Sequence, residues 1–241
     1  IPFSLERGPL IRCHLVNLGD EVNFLSVVLH HIIFDGWSHF LFYNEIWRRY
    51  TLLAMPCEEA PLLPTSSFLE YADRYPAGRG DAHCSESMSF WRENLKEAKA
   101  IAIPGDKPRP TVFSFCGHKI TRVLDVDLVK ALKAIRGTTL FQTLMAAMFA
   151  LMHQLTGEQD IVIGSQVANR TSGKVEHVIG CFVNTVLYRV REFSSGWSST
   201  ELVAHVKQVV VDALAHSEVP FGEIVEALHA ERYPAFANPL F

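Results

Sequence analysis

Two periodicities of apolar residues alternate along this chain and divide it into strands and helices. Val22 to His30 strings β-branched and aromatic residues behind the turn-like "LGDE" and predicts a strand. The next stretch, "SHFLFYNEIWRRYTLLA", repeats Phe40, Tyr43, Ile46, Trp47 and Tyr50 at helical spacing. It predicts an amphipathic helix capped by Ser38, with the Phe40/Tyr43/Trp47 stripe packed into a core. Residues 56–79, with "PCEEAPLLPTSS" and "YPAGRG", read as a linker that holds a short helix around "FLEYADRY".

A second run of elements follows. "SESMSFWRENLKEAKA" predicts a helix capped by Ser85 with Met88, Trp91 and Leu95 on one face, and the prolines of "IPGDKPRP" end it. "HKITRVL" alternates like a strand, and "DVDLVKALKAIR" is helical with an acidic start. "TLFQTLMAAMFALMHQLTG" is apolar on most faces and predicts a buried helix that begins after Thr138/Thr139 and ends at Gly157. "DIVIGS" reads as a strand buried on both faces, "CFVNTVLYRV" as another, and helices are expected at Thr200–His216 and Phe221–Ala230. No repeat or low-complexity tract interrupts this order. The alternation implies an α/β or α+β fold, with one lobe ending near residue 55 and another starting near 85.

Composition narrows the classes. The 241 residues are 49% hydrophobic and 20% charged, enough apolar material for one large or two modest domains. Net charge is −4 and no Lys/Arg run stands out, so a nucleic-acid partner is not expected. No apolar run reaches bilayer length and "IPFSLERGPL" lacks a signal-peptide shape, so neither a membrane nor export is expected. Cys13, Cys57, Cys84, Cys116 and Cys181 are scattered without a C-x-x-C pair, which reads as reduced thiols in a cytoplasmic protein. The start at Ile1 and the stop at "NPLF" suggest a piece of something longer.

The candidate chemistry centres on "SVVLHHIIFDGWSHF". A strand that runs out at "FDG" leaves His31 near its end, with Asp35 four residues on, close enough to bond the ring or the backbone around it. An imidazole with one nitrogen held and the other free is what a general base needs, and Gly36 permits close approach of a substrate. A hydrogen-bonded structural pair accounts for the stretch equally well. Metal binding is disfavoured, because adjacent histidines on a strand point to opposite faces and no third ligand is local. No G-x-S-x-G occurs, and Cys181 lies in an apolar run with no adjacent base, so an inert buried thiol is expected. "GSQVANR" lacks a phosphate-loop pattern, and the remaining histidines are scattered.

Several ordered motifs carry a resemblance. "LHHIIFDGWS" resembles the His-His-x-x-x-Asp-Gly motif of the condensation domains of nonribosomal peptide synthetases, a motif shared with chloramphenicol acetyltransferase-like acyltransferases. "IGCFVNTVLYR" resembles the family's I-G-x-F-V-N-T segment, and "HSEVPFGEIVEAL" its H-x-D-V-P-F-E block, with Glu218 for Asp and Gly222 for Glu. "RYPAFANPLF" resembles the closing R-x-x-S-x-N-P-L-F, with Phe236 where serine is usual, and "FLEYADRY" is a weak match to the Y-x-D-F/Y block. Cyclization domains carry aspartates in place of His30 and His31, epimerization domains differ around "FVNT", and the D-F-G-W-G segment of plant-type acyltransferases is absent.

The resemblance implies an α+β sandwich fold of two chloramphenicol acetyltransferase-like lobes in a V-shaped pseudo-dimer. Both would be incomplete here: residues 1–55 in the N-terminal lobe, 56–84 a linker, and 85–241 in the C-terminal lobe. It implies amide formation between a donor thioester and an acceptor α-amine, both on the 4'-phosphopantetheine arms of carrier proteins, with no cofactor bound directly. His31 would be the catalytic residue, supported by His30, Asp35 and Gly36. Arg170 would pair with Asp35, and Trp37, Ser38, Asn184 and Asn238 would line the tunnel or hold it. Partners would be the upstream and downstream peptidyl carrier proteins and an adenylation domain of the same assembly line, with the domain itself monomeric. A stand-alone acyltransferase with a soluble acceptor and a non-catalytic carrier-docking remnant are the competing readings.

Overall fold

The computed structural model describes residues 2–19, 22–54, 67–74, 82–107, 116–170, 173 and 175–228. The chain gathers into two compact units, one of Ile1–Ala77 with Ala168–Val183, the other of Gly78–Val167 with Asn184–Phe241. Residues 168–183, expected with 85–241, thus belong with the first unit. The greater part of the expected linker and the "NPLF" end, with Phe236, lie outside the described residues, as does Cys57.

In the first unit, β1 (Ile11–Asn17) and β2 (Asn23–Leu29) pair antiparallel, Ile11 opposite Leu29 and Asn17 opposite Asn23. β2 stops one residue before the expected end because His30 turns the chain. Its Nδ1 accepts the Ile32 N–H at 3.1 Å and caps a single 3-10 turn, His31–Ile33. The opposite-face argument for two strand histidines therefore does not apply. Helix α1 (Gly36–Ala54) follows.

The cap of α1 is Asp35 rather than the predicted Ser38. Asp35 Oδ1 accepts the Ser38 N–H at 2.8 Å and its carbonyl accepts the His39 N–H at 3.0 Å, which leaves Ser38 buried inside the first turn. The α1 aromatic stripe also departs from expectation, with Phe40 68% and Trp47 69% exposed. Rings of the helix pair along it, Trp47 stacked on Tyr50 at 5.9 Å and Tyr43 against His39 at 4.6 Å. Helical spacing gathers residues on one face, but only a sequence-distant element can cover that face. Helix α2 (Phe68–Arg74) brings Phe68 and Tyr71 against Val175, Val178 and Phe182, a small core closed by the returning segment.

The second unit holds α3 (Ala82–Asn94), α4 (Val126–Lys133), α5 (Leu140–Thr156), β3 (Ile161–Val167), β4 (Asn184–Val190), α6 (Ser199–Ala215) and α7 (Phe221–Ala227). Strands β3 and β4 pair antiparallel, Ile161 opposite Val190 and Val167 opposite Asn184. Trp91, Phe149, Leu187, Tyr188, Val206, Val210 and Ile224 form the core around them. Fully burying an apolar side chain of this size stabilises by roughly 1.5–3 kcal/mol. Thr139 and Gln142 form the capping box that starts α5, and Gly157 ends it at φ 74°, a left-handed conformation that suits glycine. Ser198 and Glu201 start α6 in the same way.

Four expectations change here. Helix α3 begins at Ala82, so Ser85 lies within it and is exposed, although Trp91 and Leu95 are buried and Met88 packs beside them as predicted. "HKITRVL" forms no strand: Ile120 and Val123 are exposed, and alternation without a partner edge does not make a ladder. Helix α5 buries one face, including Met145, Phe149 and Met152, while Phe141, Leu144, Met148, Leu151 and Leu155 are exposed. β4 starts at Asn184 rather than Cys181, since the Gly180 and Phe182 peptides bond side chains of the α1 turn instead of a neighbouring strand. No helix among the described residues is long and apolar enough to cross a membrane.

Candidate functional site

The structure gathers the predicted site residues around the start of α1. Asn169 adopts φ 50°, a conformation that asparagine tolerates better than most residues, and the chain then delivers Arg170 to Asp35. Arg170 Nη2 lies 3.1 Å from Asp35 Oδ1 and 3.2 Å from Oδ2, with the two side chains 2% and 1% exposed. Nη1 donates to the Val175 and Val178 carbonyls at 2.6 and 2.7 Å, and the guanidinium lies 4.3 Å above the Phe182 ring.

Ser38 completes the clamp. Its hydroxyl donates to the Gly180 carbonyl at 2.8 Å and accepts the Gly180 N–H at 3.0 Å and Arg170 Nη2 at 2.9 Å. Asp35 Oδ2 accepts the Phe182 N–H at 3.0 Å. Burial pushes the Asp35 carboxyl upward, but the Ser38 and Phe182 amides and Arg170 outweigh it and hold the group below its ordinary value of 3.8. The carboxylate is therefore charged at neutral pH and fully engaged by these donors. It does not reach the His31 ring, contrary to one of the two sequence expectations. Gly180 has its own steric reason: a Cβ there would overlap the Phe68 ring.

His31 stands at the rim of this clamp, exposed, while His30 spends its Nδ1 on the turn and meets the Phe3 ring edge at 6.0 Å. His31 Nδ1 lies 4.0 Å from Cys181 Sγ. The thiol is half-buried with an imidazole beside it, which corrects the expectation of a buried cysteine with no adjacent base. One hundred and fifty residues separate the pair, beyond the reach of local pattern. Gly36 sits at the exposed start of α1, where an added Cβ would meet nothing within 4 Å. Trp37 donates from Nε1 to the Glu176 carbonyl at 2.9 Å and is 47% exposed.

Other chemistry-bearing groups are absorbed by the fold. Asn184 donates to the Ser217 and Val219 carbonyls at 2.8 and 2.7 Å and accepts from the Thr185 and Phe221 amides at 2.9 and 3.0 Å. It caps α7 from a distance, with no amide hydrogen left for a ligand, which leaves the structural one of its two expected roles. Ser87 Oγ lies 2.9 Å from His216 Nδ1 and is also bonded to Glu218, but it is fully buried and both partners converge on the one hydroxyl. A nucleophile–base–orienter relay needs the partners in series and the nucleophile accessible, so this cluster is structural. Asn238 lies outside the described residues.

Comparison with known proteins places these features in a family context. The family model described as Condensation domain matches residues 1–241. The chain is 36% identical over 249 residues to phosphinothricin tripeptide synthetase PhsC of Streptomyces viridochromogenes, covering 100% of this chain and 22% of that protein. It is 35% identical over 237 residues to malpibaldin synthetase of Mortierella alpina, covering 96% of this chain and 4% of that one. The chain thus spans under a quarter of the length of these relatives. Among solved structures, it superposes on holo-AB3403, a four-domain nonribosomal peptide synthetase bound to AMP and glycine, with a TM-score of 0.84 at 26% identity, covering 99% of this chain and 18% of that one. A complex of the X-domain and OxyB from teicoplanin biosynthesis matches with a TM-score of 0.81 at 26% identity, covering 99% and 54% of the two chains.

Proposed function

The chain belongs to the condensation-domain family, and we propose from that premise that it forms an amide bond in nonribosomal peptide biosynthesis. The α-amine of an acceptor aminoacyl thioester attacks the carbonyl carbon of a donor acyl or peptidyl thioester. A C–N bond forms, the C–S bond breaks, the amine gives up a proton and the departing thiolate gains one. Both substrates arrive on 4'-phosphopantetheine arms of upstream and downstream carrier proteins, in an assembly line that also holds an adenylation domain. The setting is cytoplasmic.

The observation that carries this reading is the pairing of an exposed His31 with a buried clamp beneath it, Asp35–Arg170–Ser38–Gly180. Such a division of labour suits a residue that must meet substrate at fixed geometry. The energetic demand on His31 is moderate. An α-amine with a pKa near ~8 is already partly neutral at pH 7, and a thioester is an activated acyl group. Holding the two together accounts for roughly 7–11 kcal/mol of the barrier. A positioned group that assists proton transfer or charge development adds about 10²–10⁴-fold. Gly36 offers substrate close access to the helix start, Trp37 walls it, and Asp35, Arg170, Ser38 and His30 are positioning residues.

The test is an assay with loaded donor and acceptor carriers, wild type against His31→Ala. Dipeptidyl carrier from wild type, reduced at least ~10²-fold in the variant, supports the reading. Product only with a free amine assigns a soluble acceptor, and no product from folded wild type assigns a docking role.

A further inference from the structure

Asp35 cannot orient His31, because both of its oxygens are committed to Ser38, Phe182 and Arg170. The group that faces His31 is the Cys181 thiol, with Sγ 4.0 Å from Nδ1. Cys181 is itself held by the clamp. The Gly180 peptide is bonded through both N–H and carbonyl to Ser38, and the next amide, of Phe182, is bonded to Asp35. The residue between them has little freedom to move from the ring.

We propose that Cys181 is a positioning residue whose S–H is directed at His31 Nδ1, holding the neutral ring in the tautomer that carries its proton on Nε2. A neutral thiol and a neutral imidazole can meet in two ways. The S–H is a much stronger acid than an imidazole N–H, and the unprotonated ring nitrogen a better acceptor than thiol sulfur, so S–H to Nδ1 is the stronger pairing. The neighbouring ring already has this tautomer for a backbone reason: His30 Nδ1 accepts the Ile32 N–H, which leaves its proton on Nε2.

The consequence sharpens the proposed reaction, on which its catalytic part rests. With Nδ1 turned to the thiol, the nitrogen His31 offers to substrate is Nε2, and it offers a hydrogen rather than a lone pair. Such a group donates to the acyl oxygen as negative charge gathers there, while the amine proton passes to the departing thiolate. His31 then stabilises the tetrahedral state instead of taking the amine proton.

The ring tautomer is read by ¹⁵N NMR of the full chain labelled at histidine, with His31 assigned from its loss in His31→Asn. Wild type is expected to show Nδ1 as a bare acceptor and Nε2 protonated. Cys181→Val keeps most of the volume without a donor, and Cys181→Ala removes both. Each should lower the Nε2–H preference about fivefold, the worth of one modest hydrogen bond, and slow amide formation about twofold. A wild-type proton on Nδ1, a ratio unchanged in both variants, or a change in Cys181→Ala alone (the signature of lost packing) overturns the proposal. Absence of amide formation by wild type refutes the proposed function and leaves the tautomer measurement untouched.

Discussion

The Asp35–Arg170 pair offers the sharpest test of how the site is held. Its side chains are 1% and 2% exposed, so solvent screening does little and the pair belongs to the buried class. Removing one member of such a pair leaves the other charged and unpaired at a cost of about 3–5 kcal/mol. That is a large share of the ~5–15 kcal/mol that holds a typical domain folded. Arg170→Ala strands the Asp35 carboxylate and frees the Val175 and Val178 carbonyls; Asp35→Ala strands the guanidinium and opens the Ser38 and Phe182 amides. The double variant removes both charges, so it should lose about 2–3 kcal/mol less than the two single losses summed.

Urea denaturation of the three variants measures the cycle, and hydrogen exchange at the Ser38 and Phe182 amides localises it. Additive losses would refute the coupling. The pH dependence has a fixed sign as well. Because the folded pKa of Asp35 lies below 3.8, its contribution is present above that range and fades as pH falls through the folded value. Asp35→Ala should therefore flatten the acid limb of the stability curve, and an unchanged limb would count against the assignment.

Other outcomes follow from the same contacts. Gly180→Ala places a Cβ in the Phe68 ring, so it should cost about 1–3 kcal/mol in urea denaturation, and Phe68→Ala should recover part of that loss in the double variant. Tyr188→Phe should be neutral or stabilising by up to ~1 kcal/mol, because the buried hydroxyl has no hydrogen-bond partner among the described residues. Burial pushes that hydroxyl from 10.0 to about 12, so wild type should lose stability as pH rises above 10 and the phenylalanine variant should lose less, as alkaline unfolding curves will report. Ser38→Ala leaves the Gly180 N–H unanswered and its carbonyl with only the 3.4 Å contact from Arg170 Nη2, and should destabilise by roughly 1–3 kcal/mol, whereas exposed Phe40→Ser should leave the melting temperature of the isolated chain nearly unchanged.

What the sequence made legible divides by range. The starts of α4, α5 and α6 and the end of α5 were readable because their caps are local: Asp125, the Thr139–Gln142 box, the Ser198–Glu201 box and Gly157 all lie within one turn of the residues they serve. "HKITRVL" alternates like a strand and forms none, because a strand depends on a partner edge that alternation does not supply. The α1 stripe differs for the same cause, since its spacing is helical and its covering element is not encoded in that spacing. Within the site, His30, His31 and Asp35 stood out from spacing alone, but spacing left catalysis and structure level.

The rest of the site came from residues far along the chain. Arg170 reaches Asp35 across 135 positions, Gly180 reaches Ser38 across 142 and Cys181 reaches His31 across 150. Hydrophobic period carries no information about such pairs; the family resemblance implies the one between Arg170 and Asp35, and no sequence signal points to the other two. Even that likeness assigned Ser38 too small a part. Read locally it is a helix cap, yet Asp35 performs that task and releases the Ser38 hydroxyl to bond Gly180 and Arg170. A cap shifted by three residues thus turns an ordinary helix start into the joint between α1 and the 168–183 segment. That joint sets where Cys181 meets His31, so the position of the exposed imidazole depends on a serine that never touches it.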